Sequence, residues 1–339
     1  MATVTTTAAG KRAAPWWRSL SKLSQEQVVA AVTIFLLIVF AVALPGFATT
    51  ANILGLIRSI SILGILGLGM GLIVISRSID LSEIALMASP WAVAIIANQH
   101  GLPSFWTAVL ALALAVSIGL INGLMVAFIE APALFVTLAT TFVVYGAAYW
   151  VAPVYVVYVP QTSTGLLFAG HATVFGIPMP IFVFAAAALV MHAFLSRTSI
   201  GRFIYAQGDN PEAARLSGIA LRPLTVLEHV LIAVLAWLAG LVWIGQTGSM
   251  QTNIVIVGTQ IFDVILVVVL GGISLVGGRG GVFSVVVGCA LIGTLLNAFT
   301  IMDVNSEVQN IIRGVVLLAA IILDNWLHPR DEETARQGE

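Results

Sequence analysis

Long apolar blocks alternate with short polar breaks along almost the whole chain. Ten blocks stand out, at about residues 28–44, 52–76, 82–98, 104–129, 132–150, 181–196, 223–245, 260–276, 282–300 and 307–324. A helix needs about 20 mostly apolar residues to cross a bilayer. Inside hydrocarbon every backbone N–H and C=O must be bonded within the protein, so such blocks predict α-helices. The pattern predicts an all-α polytopic membrane protein of about ten transmembrane helices. It divides the chain into an N-terminal tail over residues 1–27, a transmembrane domain over 28–324 and a C-terminal tail over 325–339. The first block follows a long basic stretch and reads as a retained span rather than a cleaved signal.

Composition agrees. Hydrophobic residues make up 60% of the 339, with a mean hydropathy of +1.07, against roughly 45–50% apolar residues in soluble domains. The charges add the orientation. With the N-terminus inside, Lys11, Arg12, Arg18, Lys22, Arg77, Arg197, Arg202, Arg215, Arg222, Arg279, Arg330 and Arg336 all fall on one side. The opposite loops hold no lysine or arginine. Positive loops face the cytoplasm, so both termini are expected there, with Trp16 and Trp17 as lipid-interface anchors. Arg58 and Arg313 lie within apolar blocks near the outer ends, where a partner in the bundle or snorkelling lowers their cost. A net charge of −1 gives no basic footprint for nucleic acid. Cys289 is the single cysteine and reads as a packing residue. No nucleophile–base or metal-ligand constellation is evident, so neither a catalytic nor a metal site is expected.

The longest polar break, 197–222, holds four arginines. It contains a short helix with its own start and stop. Asn210 or Asp209 can cap the N-terminus. Pro211 suits the first helical position, and Glu212 suits the positive end of the helix dipole. Ala213, Ala214, Arg215 and Leu216 favour helix. Gly218, after Ser217, ends it. A self-contained helix hung between two spans reads as a handle for a partner.

Three further stretches carry candidate chemistry. Asp80 and Glu83 have capping-box spacing; a cation or proton site is the alternative. Gly271 to Gly281 is rich in glycine but lacks the Gly-Lys-Ser/Thr ending of a phosphate loop, so no ATP site is expected in this chain. It reads as a tight turn between closely packed helices. The outer loop 151–180 carries no charge but has Tyr155, Tyr158, Phe168, His171 and Phe175. It reads either as a docking surface or as a plug over the helix ends. The halves also echo each other. Gly119 to Asn122 parallels Gly293 to Asn297, and Val144-Tyr145-Gly146 parallels Ile312-Arg313-Gly314. Spans 2–5 and 7–10 are therefore expected to be an inverted repeat.

From about Asn52 to Asn325 the sequence resembles the permease subunits of bacterial ABC sugar importers, the ribose/xylose-type branch of the branched-chain permease family. The resemblance rests on Ser61 to Leu66 with Gly69-Met70, on Ile79-Asp80-Leu81-Ser82 and on Gly201-Arg202 through Asn210 to Ile219. It continues in Val269 to Ser274, Gly277 to Gly280 and Gln309 to Gly314. It implies a translocation path for a neutral sugar or polyol, and two permease subunits, identical or related, side by side in membrane lipid. It also implies a cytoplasmic ATPase that binds ATP and magnesium, a periplasmic sugar-binding protein and a place in the bacterial inner membrane. The segment Asp209 to Gly218 would be the coupling helix, seated on the ATPase. Candidates for the path are Asn122, Phe135, Thr137, Thr140, Thr141 and Asn297, which carry hydrogen-bonding or aromatic groups and no charge. The chain departs from the family at Arg77 and Ser78, where two glycines are usual, at Tyr145, where arginine is frequent, and at Ile261, where glutamate is usual although Asp263 remains. The competing class is a proton- or sodium-coupled transporter using His192, Glu228 and His229 as a relay.

Overall fold

The computed structural model describes residues 25–327. The basic residues and tryptophans of the N-terminal tail, with Arg330 and Arg336, lie outside the described residues. Each expected apolar block contains a helix. These are α1 (Gln25–Ala43), α2 (Thr50–Ile75), α3 (Glu83–Gln99), α4 (Ser104–Phe128) and α5 (Ala133–Val151), then α7 (Met179–Arg197), α10 (Leu221–Thr247), α12 (Gln260–Gly271), α13 (Val282–Ile301) and α14 (Ser306–Leu327). Seven of the described helices are long and apolar enough to cross a membrane. The eighth block differs from expectation. Its helix has 12 residues, about 18 Å of rise against a core of about 30 Å. Gly272 stops it in the left-handed conformation, at φ +100°. Glycine alone adopts that conformation at no steric cost.

The loops hold more structure than their sequence suggested. The outer loop contains β1 (Val156–Tyr158), α6 (Thr164–His171), β2 (Thr173–Val174) and β3 (Ile177–Pro178). β1 pairs antiparallel with β4 (Ser249–Gln251), while β2 and β3 form a hairpin. α6 packs on α10, so the loop is seated on the helix ends. Tyr155, Tyr158, Phe168 and Phe175 still point outward. The polar break 197–222 holds two helices, α8 (Ser199–Asp209) and α9 (Pro211–Leu216). α11 (Ile254–Val257) leads into α12.

The packing has an internal two-fold character. α4 lies along α10 as α13 lies along α2, and α3 meets α10 as α12 meets α2. α3 also touches α4 and α5 as α12 touches α13 and α14. These pairings are the ones that opposed repeats of spans 2–5 and 7–10 would give. α2 and α10 cross at the centre, and α2 is buried along most of its length. α1, with Thr33 its buried residue, sits at the edge against α13.

The two equivalent seams are not packed alike. On the inner seam, a Cβ at Gly119 would meet the His229 carbonyl oxygen at 2.6 Å, and one at Gly123 would meet the Val226 Cα at 2.7 Å. Small residues let the two backbones approach. On the outer seam, Gly293 touches the side chain of Ile60, and a cavity opens beside it. Between the seams, the Trp91 indole donates to the Trp237 carbonyl at 2.9 Å, and the Trp237 indole donates to the Ala108 carbonyl at 3.0 Å.

Charge is sorted by end. Arg77, Arg197, Arg202, Arg215, Arg222 and Arg279 fall in the connections at the end that carries α8 and α9. The described connections at the other end have no lysine or arginine. Overpacking of close seams costs about 1–3 kcal/mol. Gly119→Val is therefore expected to lower the thermal unfolding midpoint of the purified protein, whereas Gly146→Ala, in open space, leaves it unchanged.

Candidate functional site

The site is built where α8 and α9 meet the ends of the bundle. Thr198 caps α8, its hydroxyl accepting from the Gly201 amide at 3.0 Å. Gly201, Ile204, Gln207 and Gly208 turn inward on one face of α8. Asn210 caps α9, as one of the two expected candidates, with Oδ1 accepting from the Ala213 amide at 3.0 Å. Pro211 occupies the first helical position. Gly218, at φ +86°, closes the helix as its amide donates to the Arg215 carbonyl at 3.0 Å.

α9 turns nearly all of its surface outward. Ala214 is its buried residue, and Glu212, Ala213, Arg215, Ser217 and Gly218 are exposed. Leu216 is 88% exposed. A large apolar side chain at the tip of a capped helix suits contact with a partner. The root of the helix is, by contrast, tightly held. The Gly278 amide donates to the Ile75 carbonyl at 2.8 Å, and Gly208 lies against that same carbonyl. A Cβ at Gly278 would meet Asp209 at 2.9 Å. The end of α2, the glycine-rich turn and the end of α8 therefore meet backbone to backbone.

Neighbouring side chains reinforce this junction. The Tyr205 hydroxyl donates to the Gly280 carbonyl at 2.8 Å. Burial pushes the Tyr205 phenol above its ordinary value, and the nearby Glu26 carboxylate adds to the rise. The Ser284 hydroxyl donates to Glu26, which ties α1 to the same end. Arg77 stands at φ +68°, left-handed backbone that costs a non-glycine residue roughly 1–2 kcal/mol. That is why glycine would suit its position. Arg222 pairs with Glu130 at 2.7 Å on the surface, a contact of small energetic weight.

The path candidates separate into groups. Four of them surround the chain between α2 and α3. The Leu81 amide donates to Thr137 Oγ1 at 3.0 Å, and Thr141 Oγ1 donates to the Leu81 carbonyl at 3.1 Å. Thr140 donates to Asn122 Oδ1 at 2.6 Å, and Asn122 donates to Ser82 Oγ at 3.0 Å. Ser82 in turn donates to Asp80 Oδ1, from its amide at 2.7 Å and its hydroxyl at 2.5 Å. These groups bond the non-helical backbone that enters the bundle, as burial requires. Thr141 also borders a cavity of about 200 Å³. Phe135 lies elsewhere, 66% exposed on α5. Asn297 is at the outer end, exchanging amide hydrogen bonds with Asn52 at 2.9 and 3.0 Å.

The capping box expected at Asp80 and Glu83 is not formed. Ser82 is the residue before α3 and makes no side-chain cap. Asp80 folds a turn onto Ser82 instead. Glu83 is buried, with its carboxyl against Gly69. The alternative relay is also dispersed: His192 is exposed on α7, whereas Glu228 and His229 are buried in α10. Arg58 donates to the Gly170 carbonyl at 3.0 Å, and Arg313 pairs with Asp263 at 3.1 Å. Arg313 thus has its partner in the bundle, and Arg58 has its partner in the outer loop. Sequence reasoning did not separate α8 from α9, although the inward positions of Gly201, Ile204 and Gly208 follow helical spacing.

Residues 52–321 match the family described as branched-chain amino acid transport system / permease component. The ribose import permease protein of Escherichia coli strain K12 is 30% identical over 313 residues, covering 89% of this chain and 94% of that one. The counterpart in Haemophilus influenzae is 33% identical over 309 residues, covering 89% and 94%. The L-arabinose transport system permease protein of Escherichia coli strain K12 is 33% identical over 312 residues, covering 91% and 93%. No solved structure matches the chain.

Loss of an N-cap side chain costs about 1 kcal/mol. Asn210→Ala is expected to speed amide hydrogen exchange at Ala213 and Ala214 roughly fivefold, with the thermal midpoint of the bundle unchanged.

Proposed function

The chain belongs to the branched-chain amino acid transport system permease family, and on that premise we propose that it is the membrane-spanning subunit of an ATP-driven importer for a neutral sugar or polyol. It is a transport component and not an enzyme. ATP and magnesium are bound by a separate cytoplasmic ATPase, and a periplasmic binding protein delivers the sugar. Two permease subunits, identical or related, pair in the bacterial inner membrane with their termini in the cytoplasm. The similarity to ribose and arabinose permeases over about nine-tenths of the chain supports the substrate class. The sorting of arginines to the end bearing α9 supports the orientation.

The observation that carries the reading is the contrast within the coupling segment. α9 has an exposed surface around Leu216, while its root is fixed at Gly208 against Ile75 and Gly278. A partner that grips Asp209 to Gly218 pulls on α2 and on the turn between α12 and α13 together. Those elements belong to opposite repeats, so one displacement acts on both sides of the centre. The path candidates Asn122, Thr137, Thr140 and Thr141 stand at the start of α3, and Asn297 stands at the outer end. Passage between those levels follows from a shift of one repeat against the other.

The test is uptake of labelled D-ribose, L-arabinose and D-fructose into vesicles containing this chain, with or without its ATPase and binding protein. Uptake is expected to require ATP and both partners. Glu212→Lys and Ala213→Asp are expected to reduce it about tenfold or more, which corresponds to about 1.4 kcal/mol of lost coupling, while the protein still purifies as a folded species. Uptake by the chain alone on a proton or sodium gradient, or full activity in both variants, overturns the reading.

A further inference from the structure

At the outer seam, α2, α10, α12 and α13 leave a cavity of about 440 Å³ between them. That lies within the roughly 300–1,000 Å³ range of small-molecule sites. Leucine and isoleucine side chains of α2 form one wall. Ser59 of α2 lines the cavity as well, and the polar groups facing this wall include Trp243, Gln246, Gln260, Asp263 and Asn297. Trp243 Nε1 and Gln260 Oε1 are buried and have no hydrogen-bond partner among the described residues. A buried donor and a buried acceptor left unbonded cost about 1–3 kcal/mol each. Both residues line the cavity, and a turn of either side chain would present its free group to a ligand that supplies the missing partner.

We propose that this cavity is a binding station for a single neutral monosaccharide inside the protomer, with the Trp243 indole as platform and donor and Gln260 and Asn297 as hydrogen-bonding partners. The proposal rests on the importer reading and names the site at which the cargo pauses. A sugar ring has an apolar C–H face for the indole and hydroxyls that both donate and accept. An acyl chain would leave the Trp243 and Gln260 groups unmet. A charged ligand is disfavoured because Asp263 is already neutralised by Arg313 at 3.1 Å. Arg313 also donates to Thr259 at 2.8 Å, which fixes the chain leading into α12 and Gln260.

The surroundings suit a waiting position. Arg58 leaves the same stretch of α2 and holds the Gly170 carbonyl of α6 at 3.0 Å, so the outer loop is latched beside the cavity. Gln246 Nε2 donates back to the Arg58 carbonyl at 3.4 Å. On the opposite side of the centre the equivalent seam is shut at Gly119 and Gly123. A sugar in the cavity therefore has no onward route until that seam parts.

The test places a thiol at the cavity wall. Ser59→Cys, with Cys289→Ala to remove the native thiol, is assembled with the ATPase in lipid nanodiscs and labelled with a maleimide. D-ribose, L-arabinose and D-fructose are added in turn, and uptake of each is measured in parallel vesicles. The sugar that is taken up is expected to slow labelling about tenfold at about ten times its dissociation constant. Trp243→Ala should abolish that protection, and Trp243→Phe should keep part of it. Gln260→Ala, which removes an acceptor while leaving the aromatic wall, should weaken it if Trp243→Ala fails to fold. Unprotected labelling by a sugar that is taken up overturns the station and leaves the importer reading standing. Protection without ATP-driven uptake supports the station and overturns the importer reading. Neither protection nor uptake overturns both, and labelling that responds to lipid composition but not to sugar assigns the cavity to an acyl chain and overturns the station.

Discussion

The junction of Gly208, Ile75 and Gly278 is the contact on which the architecture depends. There the end of α8 meets the end of α2 and the glycine-rich turn, and the Gly278 amide bonds the Ile75 carbonyl at 2.8 Å. No side chain lies between the backbones, and a Cβ on Gly208 would strike the Ile75 carbonyl. A layer of flexible side chains would absorb movement at this point. Direct backbone contact transmits it, because packed interiors have little compressibility. The short capped helix α9 is rooted in this contact.

A second constraint shapes the interior. Between α2 and α3 the chain leaves helical form and dips into the bundle, where Asp80 and Ser82 are buried. Thr137 and Thr141 bond the amide and carbonyl of Leu81, while Asn122, Ser82 and Asp80 close a chain of hydrogen bonds beside them. Residues with small polar side chains in apolar blocks are placed here because the backbone requires them. Asn122 and Thr137 are fully buried in that role. Structural duty and cargo contact are compatible for hydroxyls, which can both donate and accept.

Most of the bundle was legible in the sequence. Each membrane helix bonds its own backbone, so the apolar blocks locate it without knowledge of its neighbours. The cap at Asn210, the stop at Gly218 and the sorting of arginines were equally local and equally legible. The eighth block was misread in length, because Leu275 and Val276 continue the apolar pattern after Gly272 has already turned the chain. Glu83 was misread as a capping residue, since the spacing to Asp80 says nothing of the glycine on α2 that makes room for it. α8 was hidden because its inward face is partly glycine, which hydropathy does not register. The outer cavity was invisible for another reason. Ser59, Trp243, Gln260 and Asn297 come from four helices and meet only through the crossing of the two repeats.

The glycine contacts between α4 and α10 also bear on the membrane as a store of energy. A seam filled by side chains can loosen in small steps, and each step admits water and with it protons. At Gly119 the neighbouring carbonyl is too close for even a methyl group, so at this level the seam offers no gap in which a file of water could form. It is either touching or parted. A permease closed by such a contact leaks few ions at that level, so the bilayer keeps its voltage.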